Sequence, residues 1–154
     1  MTDTKRNKLI QLLHKSTRYL DDNNYRDFVE LFSADGEYII SSRAPELSEK
    51  MIWMRRNRDE LEERLKAVNQ HEWEIAGIEQ TRILSVDSLT LAENSASSSS
   101  SFSLFHTGAE GRSELYAVGR YEDEWTVSGT QWQLHRREVQ LKTRLLKLLS
   151  PLPI

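Results

Sequence analysis

The stretch 94-NSASSSSSFSLF-105 decides how the whole chain is organised. A run of serines like this is typical of a flexible linker between two domains. Phe102 and Leu104, however, share one face at the two-residue period of a strand, and Ala96 lies upstream in the same phase. Turn signals bracket the stretch on both sides, so a linker would leave the neighbouring strands to span the gap. We therefore predict a strand here, with a linker as the alternative.

The serines themselves fit the two faces of such a strand. Four of them fall on the face opposite Phe102, namely Ser97, Ser99, Ser101 and Ser103. Ser98 and Ser100 are then small residues within the apolar row, where their size suits a crowded concave face. Splitting the 154 residues here would leave a piece of about 50 residues, which is small for a domain that has no cysteine to staple it. We therefore predict one domain over residues 1–154.

Helical patterns occupy the first half of the chain. Apolar residues at helical spacing predict a first helix over residues 5–21. A second, short helix is predicted from Tyr25, with its apolar face reaching Phe32 and its N-cap at Asp22 or Asn23. After a turn at residue 36, residues 38–40 are expected to begin a β segment. The strongest helical pattern is RNRDELEERLKAV, residues 56–68, with Glu-to-Arg and Glu-to-Lys pairs four residues apart.

The second half of the chain changes to the period of strands. Alternating segments follow one another from residue 73 onward, separated by turn signals at a spacing typical of an antiparallel meander. Amino-terminal helices followed by strands define an α+β fold. We predict these helices packed on a strongly curved, mostly antiparallel sheet.

Composition narrows the class of partner. The charges are interspersed, with 21 basic and 24 acidic residues and a net charge of −3, so we expect no nucleic-acid partner, which would usually require a basic excess. The sequence shows no signal peptide and no apolar segment of membrane-spanning length, so we expect no membrane partner and a cytoplasmic protein. The absence of cysteine excludes disulfides and thiolate metal sites.

Self-contained catalytic or metal-binding motifs are not evident in the sequence. The four histidines are not paired at the spacing of a local metal clamp, and no phosphate loop or nucleophile elbow is present. These motifs therefore assign no catalytic, cofactor-binding or metal-binding residue, and a site assembled from distant strands stays open.

Contacts with a partner protein are a better-supported role than catalysis for the tryptophans, the arginines and the leucine-rich segment near the end of the sequence. Tryptophan and arginine are enriched at protein interfaces, and the leucine-rich segment from Leu145 has little to shield it unless it docks on the chain itself or on another subunit. The candidate interface residues are Trp73, Arg82, Trp132, Arg136, Arg137, Leu145 and Leu149.

The order of these segments resembles a known family, the small (beta) subunits of aromatic-ring-hydroxylating, Rieske-type dioxygenases of the terephthalate- and salicylate-hydroxylase kind, within the NTF2-like superfamily. The pieces that carry the resemblance are YLDDNNYRDFVELFSADGEYII, RRNRDELEERLKAV, EQTRILSV, SFSLFHTGAEGRSELYAVGRYEDEW and WQLHRREVQL. It implies an NTF2-like cone and a trimer of such subunits that supports three catalytic alpha subunits in an α3β3 hetero-hexamer. The Rieske 2Fe-2S cluster and the mononuclear Fe(II) would belong to the alpha subunit. A Rieske centre needs two cysteines, and this chain has none.

The resemblance therefore implies a non-catalytic, structural subunit of an oxidoreductase that acts in aromatic catabolism, with no catalytic, cofactor-binding or metal-binding residue of its own. The alternatives are a stand-alone NTF2-like dehydratase or isomerase, with His106 or His135 as the first candidates for its catalytic group, and a small-ligand-binding module of the same fold.

Overall fold

The computed structural model describes residues 2–46, 48–67, 77–146 and 153–154. Three helices and six strands make up this part of the chain. Their bounds are α1 Thr2–Asp21, α2 Tyr25–Glu30, β1 Phe32–Arg43, β2 Lys50–Asn57, α3 Arg58–Ala67, β3 Glu79–Leu91, β4 Ser95–Thr107, β5 Ser113–Ser128 and β6 Gln131–Leu141.

All six strands join in one open sheet in the order β2-β1-β6-β5-β4-β3. The last four form the predicted antiparallel meander, and β1 pairs with β2 in the same way. The exception is the parallel pairing of β1 with β6, the strand furthest from it along the chain. Strands β2 and β3 are the two edges. The fold is α+β, as predicted, with its helices preceding most of the sheet.

The serine run is a strand over its full length. Strand β4 pairs with β3 on one side and β5 on the other, so Ser95–Thr107 lies inside the sheet. Ala96, Ser98, Ser100, Phe102 and Leu104 are all buried. The prediction of both the strand and its phase is confirmed, and the linker alternative is wrong.

Apolar side chains of α1 and the sheet meet in one core. Leu9, Leu13 and Leu20 of α1 are at most 1% exposed and share a cluster with buried side chains of β1, β4, β5 and β6, against which partly buried apolar side chains of β2 and β3 pack. Phe28 of α2 packs edge-on against Phe32, with ring centroids 5.5 Å apart. We call the face of the sheet that packs against this cluster the inner face.

Several boundaries differ from the sequence prediction. Helix α3 begins at Arg58 and not at residue 56, and the turn predicted at residue 36 lies within β1. Helix α1 begins at Thr2, and α2 is capped by Asn24, whose side-chain oxygen accepts from the backbone N–H of Asp27 at 3.3 Å. Phe32, predicted in a helix, begins β1. Strand β2 was not predicted, because its side chains are largely exposed on both faces and therefore show no alternation.

Candidate functional site

A fully buried ion pair lies on the inner face. The guanidinium of Arg137 donates from Nε to Oδ1 of Asp123 at 2.9 Å and from Nη2 to Oδ2 at 2.8 Å, and both side chains are 0% exposed. Nη1 donates to Oγ of Ser16 on α1 at 3.1 Å, and the guanidinium carbon lies 4.4 Å from the centroid of the Tyr121 ring. Burial raises the pKa of Asp123, and the contact with Arg137 opposes that rise. The pair ties α1 to the two central strands β5 and β6.

A second buried guanidinium binds the end of the chain. Arg82 donates from Nη1 to Oδ1 of Asp21 at 2.7 Å and from Nη2 to the backbone oxygen of Pro153 at 2.8 Å. The hydroxyl of Tyr38 accepts from the backbone N–H of Ile154 at 2.9 Å and lies 3.1 Å from its backbone oxygen. Ile154 is itself 6% exposed and belongs to the core cluster. Pro153 and Ile154 therefore dock on their own subunit.

The inward-facing serines of β4 make room for large aromatic rings and bind one of them. Oγ of Ser98 accepts from the indole N–H of Trp125 at 3.0 Å, which satisfies a donor that would otherwise be buried unpaired. Phe102 stacks on Tyr121 with ring centroids 4.3 Å apart. Small hydroxyls in the row leave room for these large rings.

The two histidines singled out as possible catalytic groups do not meet. His106 stacks on Tyr116 with centroids 4.0 Å apart, and burial lowers its pKa. Both line a cavity of about 610 Å³ near the β4–β5 turn. His135 lies elsewhere, with Nδ1 3.5 Å from Oδ1 of Asp35 at an exposed position.

Within the described ranges, no group of three or more histidine, aspartate or glutamate side chains is arranged to hold a metal ion. No helix among those residues is long and apolar enough to cross a membrane.

The candidate interface residues fall into three groups. Arg82, Trp132 and Arg137 are buried in this chain, at 6%, 8% and 0% exposure, so their side chains are already packed within the subunit. Leu145 is 92% exposed, and the side chain of Arg136 is 32% exposed. Trp73 and Leu149 lie outside the described residues.

A β-bulge explains why Arg137 faces inward. Trp125 of β5 pairs with Leu134 of β6, whereas Glu124 pairs with Arg136 and Asp123 with Arg137. His135 is therefore an extra residue of β6 with no partner on β5, and beyond it the side chains of β6 point to the opposite faces of the sheet. Strict alternation from Leu134 would place Arg136 inside and Arg137 outside.

The structure also shows surface features that the sequence prediction missed. Three consecutive apolar residues of edge strand β2, Met51, Ile52 and Trp53, are 40–48% exposed. Next to them, a groove of about 420 Å³ is lined by several basic side chains. Exposed apolar residues on a free sheet edge are unusual in a protein that acts alone.

Comparison with known structures defines the class of fold first. The chain superposes on an NTF2-like protein with a cystatin-like fold from Novosphingobium aromaticivorans with a TM-score of 0.67 at 15% identity, covering 91% of this chain and 83% of that one. A second structure from the same organism, assigned as the beta subunit of an aromatic-ring-hydroxylating dioxygenase, gives a TM-score of 0.79 at 19% identity and covers 99% of both chains. The fold is therefore NTF2-like, as predicted.

The sequence comparison then defines the family. Residues 15–148 match the model of the ring hydroxylating beta subunit, so this chain belongs to that family. It is also 25% identical to the 2-aminobenzenesulfonate 2,3-dioxygenase subunit beta of an Alcaligenes species, over 95% of this chain and 97% of the relative. The chain is the beta subunit of a ring-hydroxylating oxygenase system, and such a subunit has an alpha subunit as its partner.

Proposed function

We propose that this chain is the non-catalytic subunit of an aromatic-ring-hydroxylating dioxygenase, and that it holds the catalytic alpha subunits in register. The observation that carries the proposal is that the buried charged side chains on the inner face are already bound within the chain. Arg137 and Asp123 are bound to each other at 0% exposure, and Arg82 is bound to Asp21 and to the end of the chain. Ionisable groups that are held in this way are unavailable to a substrate.

We further propose the assembly and the site of chemistry. Three copies of this subunit would support three alpha subunits in an α3β3 hetero-hexamer in the cytoplasm, acting in the catabolism of aromatic compounds. The Rieske cluster and the mononuclear iron would lie in the alpha subunit. The lack of cysteine in this chain supports that division, because a Rieske centre needs two cysteine ligands.

The proposed interface uses the groups that reach the surface. Leu145 is its exposed member, Arg136 is partly exposed, and Trp73 and Leu149 belong to it by their interface-type chemistry. Arg82, Trp132 and Arg137 would support the interface from beneath. An obligate interface of this kind should bury more than about 2,000 Å² in total.

Co-expression with and without the alpha subunit tests the proposal. We expect a complex with a mass near that of a hetero-hexamer by light scattering, with ring hydroxylation only when both subunits are present. A chain that stays apart from the alpha subunit, or that retains iron when purified alone, would contradict it.

The cavity beside His106 favours one rival, a stand-alone dehydratase or isomerase. A half-buried histidine with a lowered pKa beside a cavity lined by both apolar and charged residues is typical of an acid–base site. Assaying the purified chain and its His106→Ala variant on ring and ketone substrates separates the two functions. Turnover by the isolated chain that is lost in the variant would favour the enzyme.

A further inference from the structure

The groove beside edge strand β2 concentrates positive charge. Its lining includes five basic side chains and no acidic one, in a chain whose net charge is −3. The basic residues come from the ends of β1 and β2, from the middle of β5 and from the segment after β6. They are Arg43, Lys50, Arg120, Lys142 and Arg144.

Part of this charge is neutralised within the chain. Lys50 binds the carboxylate of Glu138 at 3.0 Å, and Arg144 binds Glu46 at 3.2 Å. Arg120 has a carboxylate oxygen of Glu122, two residues along β5, at 3.5 Å and one of Asp87 on β3 at 3.6 Å. Arg43 and Lys142 have no ion-pair partner among the described residues, and both are exposed. They supply the surplus charge of the groove.

The construction of the groove favours a protein segment over a single small anion. Arg43 and Lys142 are exposed, long side chains, whereas a site for one phosphate usually holds it with converging backbone N–H groups. Lys50, which lines the groove, directly precedes three exposed apolar residues on the free edge of β2, Met51, Ile52 and Trp53. Apolar residues next to a charged rim are the composition of a protein interface.

A second copy of the chain placed groove to groove does not fit this surface. Such a contact would bring two sets of basic side chains together, and like charges across an interface are strongly unfavourable. The complementary occupant is a segment that carries carboxylates.

We propose that this groove, with the adjoining edge of β2, docks an acidic segment of the catalytic alpha subunit. The inference rests on the proposed function, because it identifies one of the surfaces through which the subunit would hold its partner. Arg43 and Lys142 attract the segment, and Met51, Ile52 and Trp53 provide the apolar contact beside it.

Charge reversal in the complex tests the proposal. The variant Arg43→Glu/Lys142→Glu is co-expressed with the alpha subunit, and dissociation of the purified complex is measured by mass photometry at about 0.05 M and about 0.5 M salt. We expect the dissociation constant to rise at least about tenfold at low salt and the difference to shrink at high salt. The matched control is Lys8→Glu/Lys15→Glu on the exposed side of α1, which changes the net charge equally and should shift the constant less than about twofold.

Three results would overturn the docking site while leaving the proposed function intact. The first is a dissociation constant that the groove variant leaves unchanged, and the second is an equal increase in that constant with the control variant. The third is a change in the mass of the isolated chain caused by the groove variant alone, which would make the groove a contact between copies of this chain. Protection of the isolated chain from unfolding by inorganic phosphate, lost in the groove variant, would also overturn it. If the unsubstituted chain does not bind the alpha subunit, the proposed function itself fails.

Discussion

Replacing Arg137 by Met is the sharpest test of how the inner face is held together. The substitution removes two charge-assisted hydrogen bonds to Asp123 and one to Ser16, and it leaves the carboxylate of Asp123 at 0% exposure without a counter-charge. Breaking a buried pair in this way costs about 3–5 kcal/mol of the free energy of unfolding. Because a domain is stable by only about 5–15 kcal/mol, the melting temperature should fall by roughly 10 °C.

The cost should depend on pH in a definite direction. Burial already raises the pKa of Asp123, and without Arg137 nothing opposes that rise. A carboxyl whose folded pKa is raised costs little stability when both states are protonated and progressively more as the unfolded state ionises. The loss in Arg137→Met relative to the unsubstituted chain should therefore be smaller at about pH 4 than at about pH 8.

A double variant separates the charge from the packing. Arg137→Met/Asp123→Leu replaces both partners by apolar groups, and such replacements are often neutral, so most of the lost stability should return. Urea unfolding followed by tryptophan fluorescence measures all three chains. A loss below about 1 kcal/mol in the single variant, or a loss that does not diminish at low pH, would refute the reasoning.

Three further outcomes follow from other parts of the fold. Burial by itself raises the pKa of Glu138, but hydrogen bonds from Lys50, Gln140, Ser41 and Arg136 outweigh it and lower the pKa to about 2. The resulting stabilisation is present above the unfolded pKa and is lost as the pH falls from about 4.5 to about 2. The free energy of unfolding of Glu138→Gln should therefore lose on the order of 2 kcal/mol less over this pH range than that of the unsubstituted chain. Equal acid sensitivity of both chains would contradict this. A Cβ on Gly119 would overlap the carbonyl oxygen of Gln140 and press on the Phe102 ring. Gly119→Ala should therefore lower the free energy of unfolding in urea by about 1–3 kcal/mol. The control Gly108→Ala, whose Cβ would meet nothing within 4 Å, should lower it much less. Limited proteolysis should spare residues 95–107, because both edges of β4 are paired, and rapid cutting there that released two folded halves would end the proposal that residues 1–154 are one domain.

The periodic parts of the fold could be predicted from the sequence because burial alone dictates them. The phase of β4 follows from Ala96, Phe102 and Leu104, and the serines between them do not disturb it. Helix α1 could be read from its leucines for the same reason. Strand β2 could not be predicted, since an edge strand exposed on both faces gives no alternating signal.

The residues of the candidate site were harder to place. Whether Arg136 or Arg137 faces inward depends on one bulge in β6, and a one-residue shift reverses every side chain beyond it. The binding of Pro153 by Arg82 joins positions 71 residues apart, and no local pattern specifies such a contact. The basic groove combines residues from four strands and a loop, so it emerges only once the strand order is known.

The parallel pairing of β1 with β6 has a consequence for biosynthesis. Strand β6 lies between β1 and β5, so the first strand to leave the ribosome has no inner neighbour until the last strand has been made. The edge of β1 that pairs with β6 therefore stays unpaired while the chain between them is made, although Ile39 and Ile40 at that edge are buried in the finished subunit. Contacts this distant along the chain slow folding and expose intermediates to aggregation. A subunit built in this order gains from chaperones, or from an early partner, while its central strand is still missing.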